Sequence, residues 1–182
     1  PEHDGFDEAV AAASPELRAR GVADLVAQVP SGCSAAGAFE TLAVEVGFAN
    51  TEGQVCWAPT TQASLTTVVT GPEGGSGFAE VFGRRLDELD PVAVGRRAAD
   101  KAVRSASPRG IEPGEYEVVL EPNAVSTLVG FLAYIGFGGR ALVEGRSCLS
   151  GKEGQRVADP RITIYDDALS PDTIGLPFDF EG

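Results

Sequence analysis

Apolar positions recur along this chain in two different periods. Leu17, Val22, Leu25, Val26 and Val29 fall at near-helical spacing, and Ser14-Pro15 supplies an N-cap followed by proline at the first helical position. This predicts a helix over 15–29, stopped by Pro30. After the small-residue stretch SGCSAAG the period shortens, and four β-rich runs follow: FETLAVEVGFAN, GQVCWAPT, QASLTTVVT and GSGFAEVFG. Turn residues separate them at Asn50–Gly53, around Pro59 and across GPEGG, the pattern of an antiparallel meander of three or four strands. Leu42, Val44, Val46 and Phe48 alternate with other residues and are expected on one face of a half-buried strand.

Asp90-Pro91 repeats the cap-plus-proline signal. Val92, Gly95, Ala99, Ala102, Val103 and Ala106 then form an apolar stripe down a helix that ends near SPRG. YEVVLEP predicts a strand over 115–120, which leads through Pro122 into NAVSTLVGFLAYIGFGG, Asn123–Gly139, a run with no group charged at neutral pH. Apolar residues surround every face of that run, so a helix over 122–136 is expected inside protein, with the glycines of FGG as its C-cap. RITIYDD predicts a final short strand. SASPRGIEPG, at 105–114, is the best internal boundary and divides the chain into 1–110 and 111–182. The fold class is α+β: helices packed on a mostly antiparallel β-sheet, in a fragment of a larger two-domain protein.

Composition narrows the partners. The 182 residues are 43% hydrophobic, enough for a core, and 14 basic against 27 acidic residues give a net charge of −13. Nucleic-acid backbones and anionic membranes are repelled by such a surface, so neither is expected as a partner. The densest basic set, Arg84, Arg85, Arg96, Arg97, Lys101 and Arg104, is interleaved with Asp87, Glu88, Asp90 and Asp100 and reads as a solvated helix face. Cys33, Cys56 and Cys148 are odd in number and widely spaced, which fits reduced thiols and a cytoplasmic location. No export leader opens the chain. The apolar run is shorter than the roughly 20 residues a bilayer needs and lacks Lys/Arg anchors. The chain opens on Pro1, contains no methionine and closes on PFDFEG, as a piece of a longer protein would.

Candidate chemistry is sparse. His3 is the one histidine, so a complete Ser or Cys triad and a Cys/His zinc site both lack partners. Cys148 lies near Arg146 in GRSCLSG, where a lowered thiol pKa is conceivable, but a buried, inert cysteine is the simpler expectation. SGKEG has a glycine at the spacing of a phosphate loop, yet Glu153 stands where that loop needs a hydroxyl. GPEGGSG has no lysine and reads as a hairpin connection. The carboxylates Asp159, Asp166, Asp167, Asp172, Asp179 and Glu181 do not follow calcium-loop spacing and are expected to be solvated or to cap turns.

Taken in order, PGEYEVVLEPNAVSTLVGFL, GRSCLSGKEGQRVADPRITIYDD and GLPFDFEG resemble the TldD/PmbA family, metallopeptidase-related proteins also described as modulators of DNA gyrase. The S-x-L-x-G-K-x-G-Q segment, the D-P-x-[LI]-T-I-x-D-D strand and the closing F-D-x-E-G follow the family's order. Upstream, FANTEG and GGSGFAEVFGR look like family segments, so the resemblance covers 37–182. It implies that 1–110 is an N-terminal-type α+β domain and 111–182 the truncated start of the C-terminal, catalytic-type domain.

In metal-bearing members of that family, the helix after the VVL strand carries His-Glu-x-x-x-His. Aligning on Val118, Val119 and Leu120 puts Gly130 and Ile135 at the histidine positions and Phe131 at the glutamate. None can ligate zinc or take a proton from water. The resemblance therefore implies a PmbA-type (TldE-like), non-catalytic and metal-free subunit with no catalytic residue and no cofactor of its own. It implies a TldD-type zinc-bearing partner in a heterodimer, or homo-oligomerisation, and a peptide substrate in proteolysis or peptide maturation. Two alternatives remain open: an active metallopeptidase with ligands outside these residues, and a stand-alone binding or scaffold protein.

Overall fold

The computed structural model describes residues 4–168, 170 and 175–179; His3, Asp172, Glu181 and most of the closing F-D-x-E-G motif lie outside them. The chain forms two units, one containing residues up to Ile111 and those from Asp167 onward, the other Glu112–Asp166.

In the first unit, Asp7 Oδ1 accepts from Val10 N at 2.8 Å to start the short helix α1, Glu8–Ala11. Ser14 Oγ accepts from Leu17 N and Pro15 occupies the first position of α2, Pro15–Val26. The helix stops before the predicted residue 29 because Gln28 N and Val29 N bond three residues back, to Leu25 O and Val26 O, and tighten the last turn. Three antiparallel strands follow in the order β1 (Ser34–Ala49), β2 (Val55–Thr70), β3 (Ser76–Gly83). The β1–β2 turn is built by Asn50, whose Oδ1 accepts from Glu52 N and Gln54 N at 3.0 and 3.1 Å. Asp90 Oδ1 then caps α3, Pro91–Arg104, by accepting from Ala93 N.

The turn expected around Pro59 does not exist: GQVCWAPT and QASLTTVVT are one strand. Pairing with β1 runs unbroken from Ala49↔Val55 to Ser34↔Thr70, whereas β3 reaches only from Ala63↔Gly83 to Thr70↔Ser76. Thr61 N donates to Gly5 O at 2.9 Å, so odd-numbered β2 residues direct their N–H groups away from β1. Pro59 has the same parity, and its missing donor falls on the side that β3 never reaches, where a strand tolerates proline.

That parity also sets the core. Ala63, Leu65 and Val69 of β2, Phe39 of β1 and Ala79 and Val81 of β3 share the face that packs on Leu25 of α2 and on Val94, Ala98 and Ala102 of α3. Leu42, Val44, Val46 and Phe48 do share one face, but it is the opposite one, and Leu42 is 48% exposed. The helix α2 lies across β1, with Gly21 against the Phe39 ring and Arg18 Nη1 donating to Thr41 Oγ1 at 2.9 Å. The helix α3 lies so close to β3 that a Cβ at Gly77 would collide with the Ala98 carbonyl oxygen. Lys101 Nζ and Ser105 Oγ donate to the Phe78 and Ser76 carbonyls, each at 2.8 Å.

The basic set is not a single solvated face. Arg84 is buried, and its Nη1 donates to Asp4 O at 2.7 Å, while Arg85 pairs with Asp4 Oδ2 at 3.3 Å. Thr61, fully buried, accepts from Asp7 N at 2.9 Å and donates to Arg84 O at 3.1 Å, tying the segment before α1 to the end of β3.

The second unit contains α4 (Pro122–Leu132), a π-helical turn (Ala133–Phe137) and α5 (Gly139–Val143). Two expectations fail here. Residues 115–120 and RITIYDD are not strands among the described residues, because β propensity supplies no ladder and no neighbouring strand offers one. The apolar helix is also not buried: no α4 residue is, since no second layer of this unit covers it.

Replacing Thr61 by the isosteric valine leaves the Asp7 N–H and Arg84 C=O without their partner and should cost about 2 kcal/mol. The denaturant midpoint of the purified chain reads this. Gly77→Ala, which forces α3 off β3, should cost about 1–3 kcal/mol in the same measurement.

Candidate functional site

The helix α4 begins where Pro122 takes the first helical position and Val125 N donates to Glu121 O at 3.0 Å. Thr127 Oγ1 turns back to Asn123 O at 3.1 Å, so this hydroxyl is engaged with its own helix. Gly130 and Phe131 lie on the regular α-helical part, and Ile135 lies in the π turn. On an α-helix of 3.6 residues per turn, positions five apart diverge by roughly 140°. A π turn closes its bonds over five residues and brings such positions back toward one face.

The π turn is braced from the segment that follows α5. Ser147 Oγ donates to the Gly136 carbonyl and accepts from Leu149 N at 3.0 Å. Arg146 N and Ser147 N both donate to Ala141 O, at 2.8 and 3.0 Å, and Ser150 Oγ donates to Leu142 O at 3.1 Å. GRSCLSG thus works as a clamp on the end of α5 and the π turn. This role of Ser147 was not read from the sequence; its one signal there is the S-x-L-x-G order of the family segment.

The other candidates resolve into surface structure. Cys148 is exposed rather than buried, and Arg146 does not serve it: Arg146 Nε donates to Glu144 Oε2 at 2.8 Å. Arg140 and then Arg146 hold the Glu144 carboxyl below its ordinary range by hydrogen bonding to it. Lys152 Nζ donates to Cys148 O at 3.0 Å, and among the described residues no helix follows SGKEG, so this loop lacks the parts of a phosphate cradle. Asp159 is engaged by Arg161, whose side chain and backbone N–H lower its pKa.

Gly130, Phe131 and Ile135 do not make a metal site. Glycine, phenylalanine and isoleucine have no lone pair for zinc and no group to activate water. Among the described residues no cluster of three or more His, Cys, Asp or Glu side chains could hold a metal ion. The helix offers an apolar ridge instead, with Phe131 67% and Ile135 63% exposed beside Leu128 and Tyr134. A cavity of about 630 Å³ opens next to it, lined by Val129, Ala133, Phe137, Leu149, Ile164 and Tyr165. A second, of about 500 Å³, shares Phe137, Leu149 and Ile164. No helix among the described residues is long and apolar enough to cross a membrane.

Comparison with known proteins places this geometry. Residues 6–106 match the PmbA/TldA metallopeptidase central domain, and residues 113–182 match the PmbA/TldA metallopeptidase C-terminal domain. A metalloprotease of Methanothermobacter thermautotrophicus is 30% identical over 113 residues, which cover 60% of this chain and 23% of that protein. A crystal structure from Thermotoga maritima, of a protein described as a candidate modulator of a DNA gyrase, superposes on the whole chain with a TM-score of 0.81 at 19% identity. The chain spans 44% of that protein's length. With the central-domain and C-terminal-domain matches falling in the family's order on either side of residues 107–112, the chain belongs to the TldD/PmbA metallopeptidase family.

Proposed function

We propose that this chain supplies a non-catalytic, metal-free subunit of a TldD/PmbA-type metalloprotease complex in the cytoplasm, contributing to peptide binding and subunit assembly. One observation carries the proposal: Gly130, Phe131 and Ile135 occupy the positions that the family resemblance assigns to ligands and base, on a helix that ends in a π turn braced by Ser147. A helix without metal donors at these positions presents Leu128, Phe131, Tyr134 and Ile135 as an apolar surface. In the complex that surface packs, while zinc and the activated water belong to a TldD-type subunit. The same surface also fits a homo-oligomer.

An active hydrolase is the competing proposal, since the chain spans 44% of the solved relative and 23% of the curated one. Its ligands would then lie outside these 182 residues.

Purified protein is expected to hold far less than one zinc per chain by metal analysis and to leave extended peptides uncut. Cleavage should appear on mixing with a His-Glu-x-x-x-His-bearing TldD-type subunit. Stoichiometric zinc together with cleavage by this protein alone would refute the proposal. Phe131→Ala should weaken assembly with that subunit about tenfold or more, the value of one buried aromatic side chain. Turnover per assembled complex should stay unchanged, as sedimentation and a saturating assay can separate.

A further inference from the structure

Among the described residues, two other than glycine have a positive φ: Glu73, at 62°, in the β2–β3 connection, and Ser107, at 53°, just past the end of α3. An L side chain is strained in that left-handed region, and such strain persists where surrounding contacts hold it. Here the two residues hold each other. Ser107 N donates to Glu73 O at 3.1 Å, and Ser107 Oγ donates to Glu73 Oε2 at 2.6 Å. Ser107 also precedes Pro108, whose ring favours extended backbone at the residue before it.

The neighbours on both sides shape the same contact. Gly74 faces the Pro108 ring, which a Cβ there would meet at 3.8 Å. Gly75 lets the turn come close to α3: a Cβ at this position would run into the Ala102 carbonyl oxygen and approach Ala106 Cα to 3.2 Å. Ser105 Oγ accepts from Ser76 N and donates to Ser76 O, each at 2.8 Å. The segment leaving α3 is thereby docked on the GPEGG turn as far as Pro108. All of these contacts join residues of the first unit to one another, so the feature is independent of the metal-free reading of α4.

The two serines are held on different terms. Ser105 bonds with an ordinary φ of −93°, whereas Glu73 and Ser107 both leave favourable backbone conformations to reach each other. Two left-handed residues cost about as much as one ordinary and one charge-assisted hydrogen bond return in water. We propose that Glu73 and Ser107 form a conformational latch on the connector between the units, balanced between a closed form and an open one. Closed, the free connector begins at Arg109; open, it begins at Ala106, and residues 106–108 add about 10 Å of reach. Opening trades two bonds for two relaxed residues. The balance therefore turns on charge beside the Glu73 carboxylate.

The test is site-resolved hydrogen exchange on the intact protein. In the unaltered chain the Ser107 amide, released by local opening, should exchange about tenfold or more faster than the Ser76 amide. Ser107→Asp sets a second carboxylate against Glu73 and should speed exchange at position 107 by a further tenfold or so, while the Ser76 amide stays protected. Trypsin cleavage after Arg109, which needs the preceding residues free, should accelerate in parallel. Adding Glu73→Lys makes the pair attractive again and should restore both rates. Equal exchange of the two amides in the unaltered chain overturns the proposal, as does indifference to Ser107→Asp or failure of the charge reversal to restore the rates. So does acceleration of both amides together with a lower denaturant midpoint, which would mean that the segment opens only when the whole unit unfolds.

Discussion

The middle strand β2 has to satisfy two different neighbours at once, and the first unit is organised around that demand. Its even-numbered residues exchange backbone bonds with β1, while its odd-numbered residues face β3, Gly5 or, at Pro59, no strand at all. The odd residues also carry the side chains that pack under α2 and α3. A slip of one residue would turn Leu65 and Val69 out to solvent and bring Ser64 and Thr66 in, so burial and hydrogen bonding lock the same register. Closing β2 on both sides leaves β1 at the margin of this three-stranded sheet.

The second unit is built on different terms. Its apolar helix is held by local devices: a proline start, a π turn and a serine that reaches back across α5. These fix the shape of the helix without covering it. Gly130, Phe131 and Ile135 on this stretch carry no side-chain group that could hold a metal. A zinc ion requires donors with lone pairs at fixed positions, and that requirement cannot be met by a hydrogen atom, a benzene ring or a butyl group.

Much of the first unit was legible in the sequence because its signals are local. Ser14-Pro15 and Asp90-Pro91 announce two helix starts whose caps appear as hydrogen bonds to Leu17 and Ala93. Pro59 misled because the effect of a proline depends on which side of the strand its nitrogen faces, and that is set by the partner strands. Leu42 to Phe48 alternate correctly, but alternation does not say which face the helices cover. Arg84 gave no local sign of burial, since its partner Asp4 is far away in the chain. The strands expected over 115–120 and at RITIYDD have the right residues and no neighbour, and composition does not create one. At α4, the sequence showed an uncharged apolar run, but its winding and exposure needed the fold.

The outer position of β1 in this sheet also bears on how this protein behaves among copies of itself. Pairing of β1 with another molecule of the same kind is opposed by Glu40 and Glu45 on the strand and by the surplus of negative charge, −13 over the whole chain. That repulsion is long-ranged only in dilute electrolyte; at physiological ionic strength it fades over about 8 Å. Keeping copies of this chain apart therefore depends on ionised carboxylates seen through dilute electrolyte, and concentrated salt or acid would weaken that barrier.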